Sequence, residues 1–106
     1  MQKPKIGDTR YIIIEDNMMY SEGDACAGVY YRIARCIVLS LPHGSLREYK
    51  LHELDNHAAA RWVTLDRMHE TYEEAVKAAD EKCDRYDSIW EKYDKHKLYR
   101  PWRVQK

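Results

Sequence analysis

Apolar and polar positions along the chain follow two different periods, and the change falls near residue 70. Upstream the pattern is short, β-branched and broken by turns. TRYIIIE (9–15), VYYRIARCIVLS (29–40), LREYKLHEL (46–54) and RWVTLD (61–66) predict four strands. In the third, Tyr49 and Leu51 alternate with Glu48, Lys50 and His52, as expected of a strand with one buried and one wet face. LPHGS places Pro42 and Gly44 in a tight connection between the second and third strands, which predicts an antiparallel hairpin. The polar stretch DNMMYSEGDACAG (16–28) reads as a long loop between the first two strands.

Downstream, TYEEAVKAAD opens with Thr71 followed three residues later by Glu74, a capping box, and then a run of strong helix formers. The helix is predicted to start at Tyr72 and, with no Gly or Pro before Pro101, to run to about Lys95. At ~1.5 Å per residue it is roughly 36 Å long, against about 28 Å for a compact body of some 70 residues, so its last turns are expected to project. The expectation is a single α+β domain over residues 1–106, with strands in 1–70, helix in 71–95 and a basic tail in 96–106.

One stripe of this helix carries Tyr72, Val76, Ala79, Cys83, Tyr86, Trp90 and Tyr93, spaced alternately by four and three. Its small first half suits close packing on a sheet. Its aromatic end, Tyr86, Trp90 and Tyr93 with Ile89 beside them, is either more core or a contact with a second chain, including a homodimer partner. The adjacent stripe is Glu73, Lys77, Asp80, Asp84, Asp87, Glu91 and Asp94, acidic at all positions but one. Like charges three or four residues apart repel by a few tenths of a kcal/mol per pair, so helix stability alone does not select the row. It is either a solvated flank, relieved by pairs such as Glu73–Lys77, Glu81–Arg85 and Glu91–Lys95, or a surface that offers Asp80, Asp84, Asp87, Glu91 and Asp94 to a basic site on another protein.

After the helix the sign reverses. KHKLYRPWRVQK (95–106) has basic residues, no acid, and two interleaved aromatics. Lys95, Lys97, Arg100, Trp102 and Arg103 combine phosphate-seeking cations with a ring for stacking, the ingredients of a nucleic-acid contact. Three other accounts compete. The cations can complement the helix dipole, Leu98, Trp102 and Val104 can form a last edge strand, or the tail can fold back on the acidic stripe of its own chain.

The opening KIGDTRYIII resembles the first strand of small barrels of the Src-homology or KOW type, where a Gly-Asp turn leads straight into an aromatic and β-branched strand. HETYEEAVKAAD resembles the helix start common in short phage and prophage proteins. Together these imply a small antiparallel curved sheet or partly open barrel of four to five strands with the helix packed on it, in a mobile-element accessory protein. No catalytic residue follows from the resemblance.

Composition narrows the function classes. Eighteen basic and eighteen acidic residues cancel, so any polyanion or membrane affinity must arise from local asymmetry. Nine Tyr and no Phe give the aromatic packing hydroxyls that need partners, which suits a contact surface. Three cysteines without CxxC spacing, and no apolar run of signal or spanning length, lead to the expectation of reduced thiols in a cytoplasmic protein. Cys36 and Cys83 lie in apolar positions unsuited to a reactive thiolate, and Cys26 sits in the polar loop. His52, Asp55 and His57 in HELDNH lack the helical register of a zinc site. No enzyme activity, cofactor or metal is expected. Met18, Met19 and Tyr20, set among acids, form either an adaptable contact or a flap over the core. The expected function is thus a non-catalytic protein-interaction module, an inhibitor in the phage setting, whose acidic and aromatic helix edge occupies a basic site on a host nucleic-acid-handling protein. The alternatives are nucleic-acid binding by the tail and a structural homodimer.

Overall fold

A computed structural model describes residues 2–18, 28–55, 60–90 and 99–103. The chain begins with the Gly-Asp turn. Gly7 takes φ 94°, a conformation costly for any side chain, and the turn is pinned by Lys5 N–H donating to Asp8 Oδ2 at 2.8 Å and Gly7 N–H donating to the Val38 carbonyl at 2.9 Å. Five strands follow: β1 (Thr9–Met18), β2 (Gly28–Ser40), β3 (Glu48–Glu53), β4 (Ala60–Thr64) and β5 (Met68–His69). They form one antiparallel sheet in the order β4-β3-β2-β1-β5. A 3-10 turn, Leu65–Arg67, joins β4 to β5 and returns the chain to the far side of β1, which makes the sheet curved and partly open.

Alternation along the strands sorts the side chains into two layers. Ile12, Ile14, Ala34, Cys36, Val38, Tyr49, Leu51, Val63 and Met68 form one buried cluster on the concave side, with Leu65 packed against it. The convex side carries Tyr11, Ile13, Tyr31 and Ile33, and there α1 (Tyr72–Trp90) packs across β1, β2 and β5. The helix starts where the capping pattern predicts. Thr71 Oγ1 accepts the Glu74 N–H at 3.2 Å, while the Glu74 carboxylate reaches back to the Glu70 N–H at 3.2 Å.

Several sequence expectations are revised. β1 and β2 run further into the stretch read as loop: Asp16, Asn17 and Met18 pair with Tyr30, Val29 and Gly28, and Arg32 bonds Asp16 at 3.0 Å, so ladder bonds and an ion pair hold polar residues in strand geometry. The third strand starts at Glu48, not residue 46, and the fourth ends at Thr64, where the 3-10 turn begins. The fifth strand is Met68–His69, paired with Ile12 and Tyr11, and not the tail, whose Pro101–Arg103 forms a 3-10 turn. On α1 the fully buried positions are Ala75, Ala79 and Cys83; Val76 is only half-buried, because the small residue one position earlier allows the closer approach. The described helix ends at Trp90, and the expected extension to Lys95 lies outside the described residues.

Among the described residues no helix is long and apolar enough to cross a membrane. Because Ala79 is fully buried between helix and sheet, Ala79→Leu is expected to destabilise the fold by about 1–3 kcal/mol, read as a lower urea midpoint with unchanged slope.

Candidate functional site

Burying Ala75, Ala79 and Cys83 fixes the rotation of α1, and with it the direction of the next stripe. Asp80 and Asp84 follow one position after Ala79 and Cys83, Asp87 follows the half-buried Tyr86, and the three emerge at the rim of the seam with side chains 24%, 69% and 15% exposed. Against this rim lies residues 99–103, brought there by contacts of the Pro101–Arg103 turn with β2 and by the Tyr99 ring, 5.8 Å from that of Tyr30.

Arg100 sits among the three carboxylates. Its Nη1 donates to Asp80 Oδ1 at 3.1 Å, and its Nη2 donates to Asp84 Oδ1 at 2.7 Å and Asp87 Oδ2 at 3.1 Å. Only 11% of its side chain is exposed. Asp80 Oδ1 also accepts the Trp102 indole N–H at 2.9 Å and lies 3.1 Å from Arg103 Nη2. Burial alone would raise the Asp80 carboxyl pKa, but the hydrogen bonds from Trp102, Arg103 and Arg100 outweigh it and hold the group below its ordinary value. For Arg100, burial opposes the charge and the hydrogen bonds it donates to Asp84 and Asp87 more than restore it. Of the accounts open for the tail, its folding back on the acidic stripe is the one observed.

This arrangement joins two sites that the sequence presents as rivals. Asp80, Asp84 and Asp87 from the acidic edge meet Arg100, Trp102 and Arg103 from the basic tail. Tyr86 is half-buried under the rim, while neighbouring Ile89 is 67% exposed. Met18 is a strand residue opposite Gly28. Glu91, Tyr93, Asp94, Lys95, Lys97, Met19 and Tyr20, and the side chain of Trp90, lie outside the described residues.

A second ionic cluster went unread in the sequence. Glu53, at 1% exposure, receives Arg32 Nη1 on Oε1 and Arg61 Nε on Oε2, both at 2.8 Å. Its position was legible, since the alternation that buries Tyr49 and Leu51 also points Glu53 inward. Burial raises its pKa, and the two guanidinium bonds more than reverse the effect. All its donors stand on rigid strands of the same sheet.

Burial pushes the Cys36 thiol up to about 12 and raises that of Cys83, the wrong direction for a nucleophile. Among the described residues no group of three or more His, Cys, Asp or Glu is placed to hold a metal; His52 is half-buried in β3, Asp55 is 3.9 Å from Arg35, and His57 is outside the described set. An open cleft of about 400 Å³ between β1 and β4 is lined by Ile12, Ile14, Glu15, Arg61, Val63 and Arg67, with no nucleophile beside a base.

The two depressed carboxyl groups make acidification informative. Their ordinary values are 4.5 for Glu53 and 3.8 for Asp80, and the folded values are lower, so their stabilisation is complete above those values and is lost as pH falls through the folded ones. Glu53→Gln is expected to lower stability at pH 7 by about 1.5–3 kcal/mol and to flatten its decline below pH ~4.5, measured by urea unfolding across pH. Asp80→Asn is expected to lower the midpoint at pH 7 by less than Glu53→Gln does, and to shift the Trp102 indole resonance. No protein-family model, curated protein or solved structure matches the chain.

Proposed function

We propose that this chain is a non-catalytic protein-interaction module whose acidic helix edge receives a basic segment of another protein, of the kind that nucleic-acid-handling proteins present. Occupying such a segment would block its access to phosphates, which makes the module an inhibitor of its partner. The observation that carries this reading is the seating of one guanidinium among Asp80, Asp84 and Asp87: the edge has the geometry and charge to hold arginine, and does so with the chain's own Arg100. Fixed carboxylates at successive turns form a row that complements clustered cations. The nucleic-acid reading loses support, because Arg100 and Arg103, two of its named contacts, are engaged with carboxylates and Trp102 donates its indole N–H to one of them.

The test uses the immobilised full chain and a bacterial lysate, with captured proteins identified by mass spectrometry. Basic nucleic-acid-binding proteins are expected to be retained, and retention is expected to fall at least fivefold in the triple variant Asp80→Asn, Asp84→Asn, Asp87→Asn, shown to be folded by circular dichroism. Retention untouched by that variant removes the edge from the mechanism. Salt-sensitive retention of single-stranded DNA by the native chain, lost when residues 99–106 are deleted, would instead establish the tail as a nucleic-acid contact.

A further inference from the structure

We infer that the partner's contact element is a short arginine-led segment with an N–H donor two residues further on, and that residues 99–103 hold its place as a competitor within the same chain. This rests on the reading of the helix edge given above.

The ligand chemistry is drawn from the occupant already seated. Asp80, Asp84 and Asp87 stand four and three residues apart, and one planar guanidinium reaches all three through Nη1 and Nη2. An ammonium is a single point of charge and cannot span that row with fixed geometry, so the slot favours arginine over lysine. Two residues after Arg100, Trp102 adds a directional N–H to Asp80, and Arg103 adds a second cation on the same oxygen atom.

Exchange is favoured by how the tail is held. Arg100 is its covered anchor, 11% exposed, but the 3-10 turn that follows has no buried residue, Tyr99 is 43% exposed, and the Arg103 and Asp84 side chains are 61% and 69% exposed. The pairs with an exposed member, Arg100–Asp84 and Arg103–Asp80, contribute about 0–1 kcal/mol each and weaken with salt. Such a contact belongs to the low-stability end of a fold, where segments open locally. Tethering nonetheless presents the tail at an effective concentration on the order of millimolar, so a single weak cation is excluded while a matched segment competes.

The probe is the acetylated, amidated pentapeptide Tyr-Arg-Pro-Trp-Arg, titrated by calorimetry and nuclear magnetic resonance at low salt. The targets are the native chain and the double variant Arg100→Ala, Arg103→Ala. The variant is expected to bind the peptide at least about tenfold tighter than the native chain. In the native chain, saturation is expected to shift the Trp102 indole resonance. Adding Asp84→Asn and Asp87→Asn to the double variant is expected to abolish binding, and a peptide with lysine for its first arginine to bind at least about fivefold more weakly. Equal affinity of the native chain and the double variant refutes competition within the chain while leaving the helix-edge reading intact. A folded double variant with no saturable binding at millimolar peptide defeats the arginine slot itself. Equal binding of the lysine peptide removes the preference for arginine.

Discussion

The structure depends on how closely α1 approaches the convex face of the sheet. Ala75, Ala79 and Cys83 are fully buried there, and small side chains at four-residue spacing let the helix backbone sit low over β1 and β2. Larger residues along that line would lift or roll the helix. A roll of one position, about 100°, would carry Asp80, Asp84 and Asp87 either into the seam or out into solvent. The rim position of these three carboxylates is therefore a consequence of packing rather than of electrostatics.

Electrostatics then determines what the rim accepts. Carboxylates one turn apart raise the free energy of the helix unless counter-charge is supplied. Asp87 and Asp80 are mostly covered, which strengthens each interaction but also makes an unfilled slot costly. The chain supplies Arg100 and Arg103 from a segment that meets the sheet through Tyr99 and Tyr30. Neutrality of the whole molecule thus hides a local pairing of opposite runs that lie apart in sequence, one on the helix and the other in residues 100–103.

Much of the fold was legible because its main devices are local. β-branched alternation marked the core of four strands, and Thr71 and Glu74 marked the helix start; the curved sheet was expected only from the resemblance of KIGDTRYIII to small barrels. What escaped notice depends on partners distant in sequence. Met68–His69 is a strand only because Tyr11 and Ile12 lie beside it, and Asp16 to Met18 extend β1 only because β2 continues opposite them. The helix stripe was misread by one position, Val76 for Ala75, since hydrophobicity favours valine while close packing favours alanine. At the candidate site, the acidic row and the basic tail were each visible as charge patterns. Their pairing was one of several open accounts, because which cation fills which carboxylate is decided by where the chain returns after the helix.

The two ionic clusters show why only one is read as a recognition surface. Glu53 is 1% exposed, and its donors Arg32 and Arg61 stand on β2 and β4, so releasing either leaves a buried carboxylate with one guanidinium in place of two. That cluster locks the far end of the sheet. Around Asp80, Asp84 and Asp87 the acceptors are fixed on a helix, and the donors arrive on residues 100–103: Arg100, 11% exposed, precedes a 3-10 turn that has no buried residue of its own. Removing those donors re-exposes the carboxylates to solvent or to another guanidinium, and the core beneath stays closed. In the proposed exchange, a row of acceptors fixed on the helix would take its guanidinium from a partner in place of Arg100.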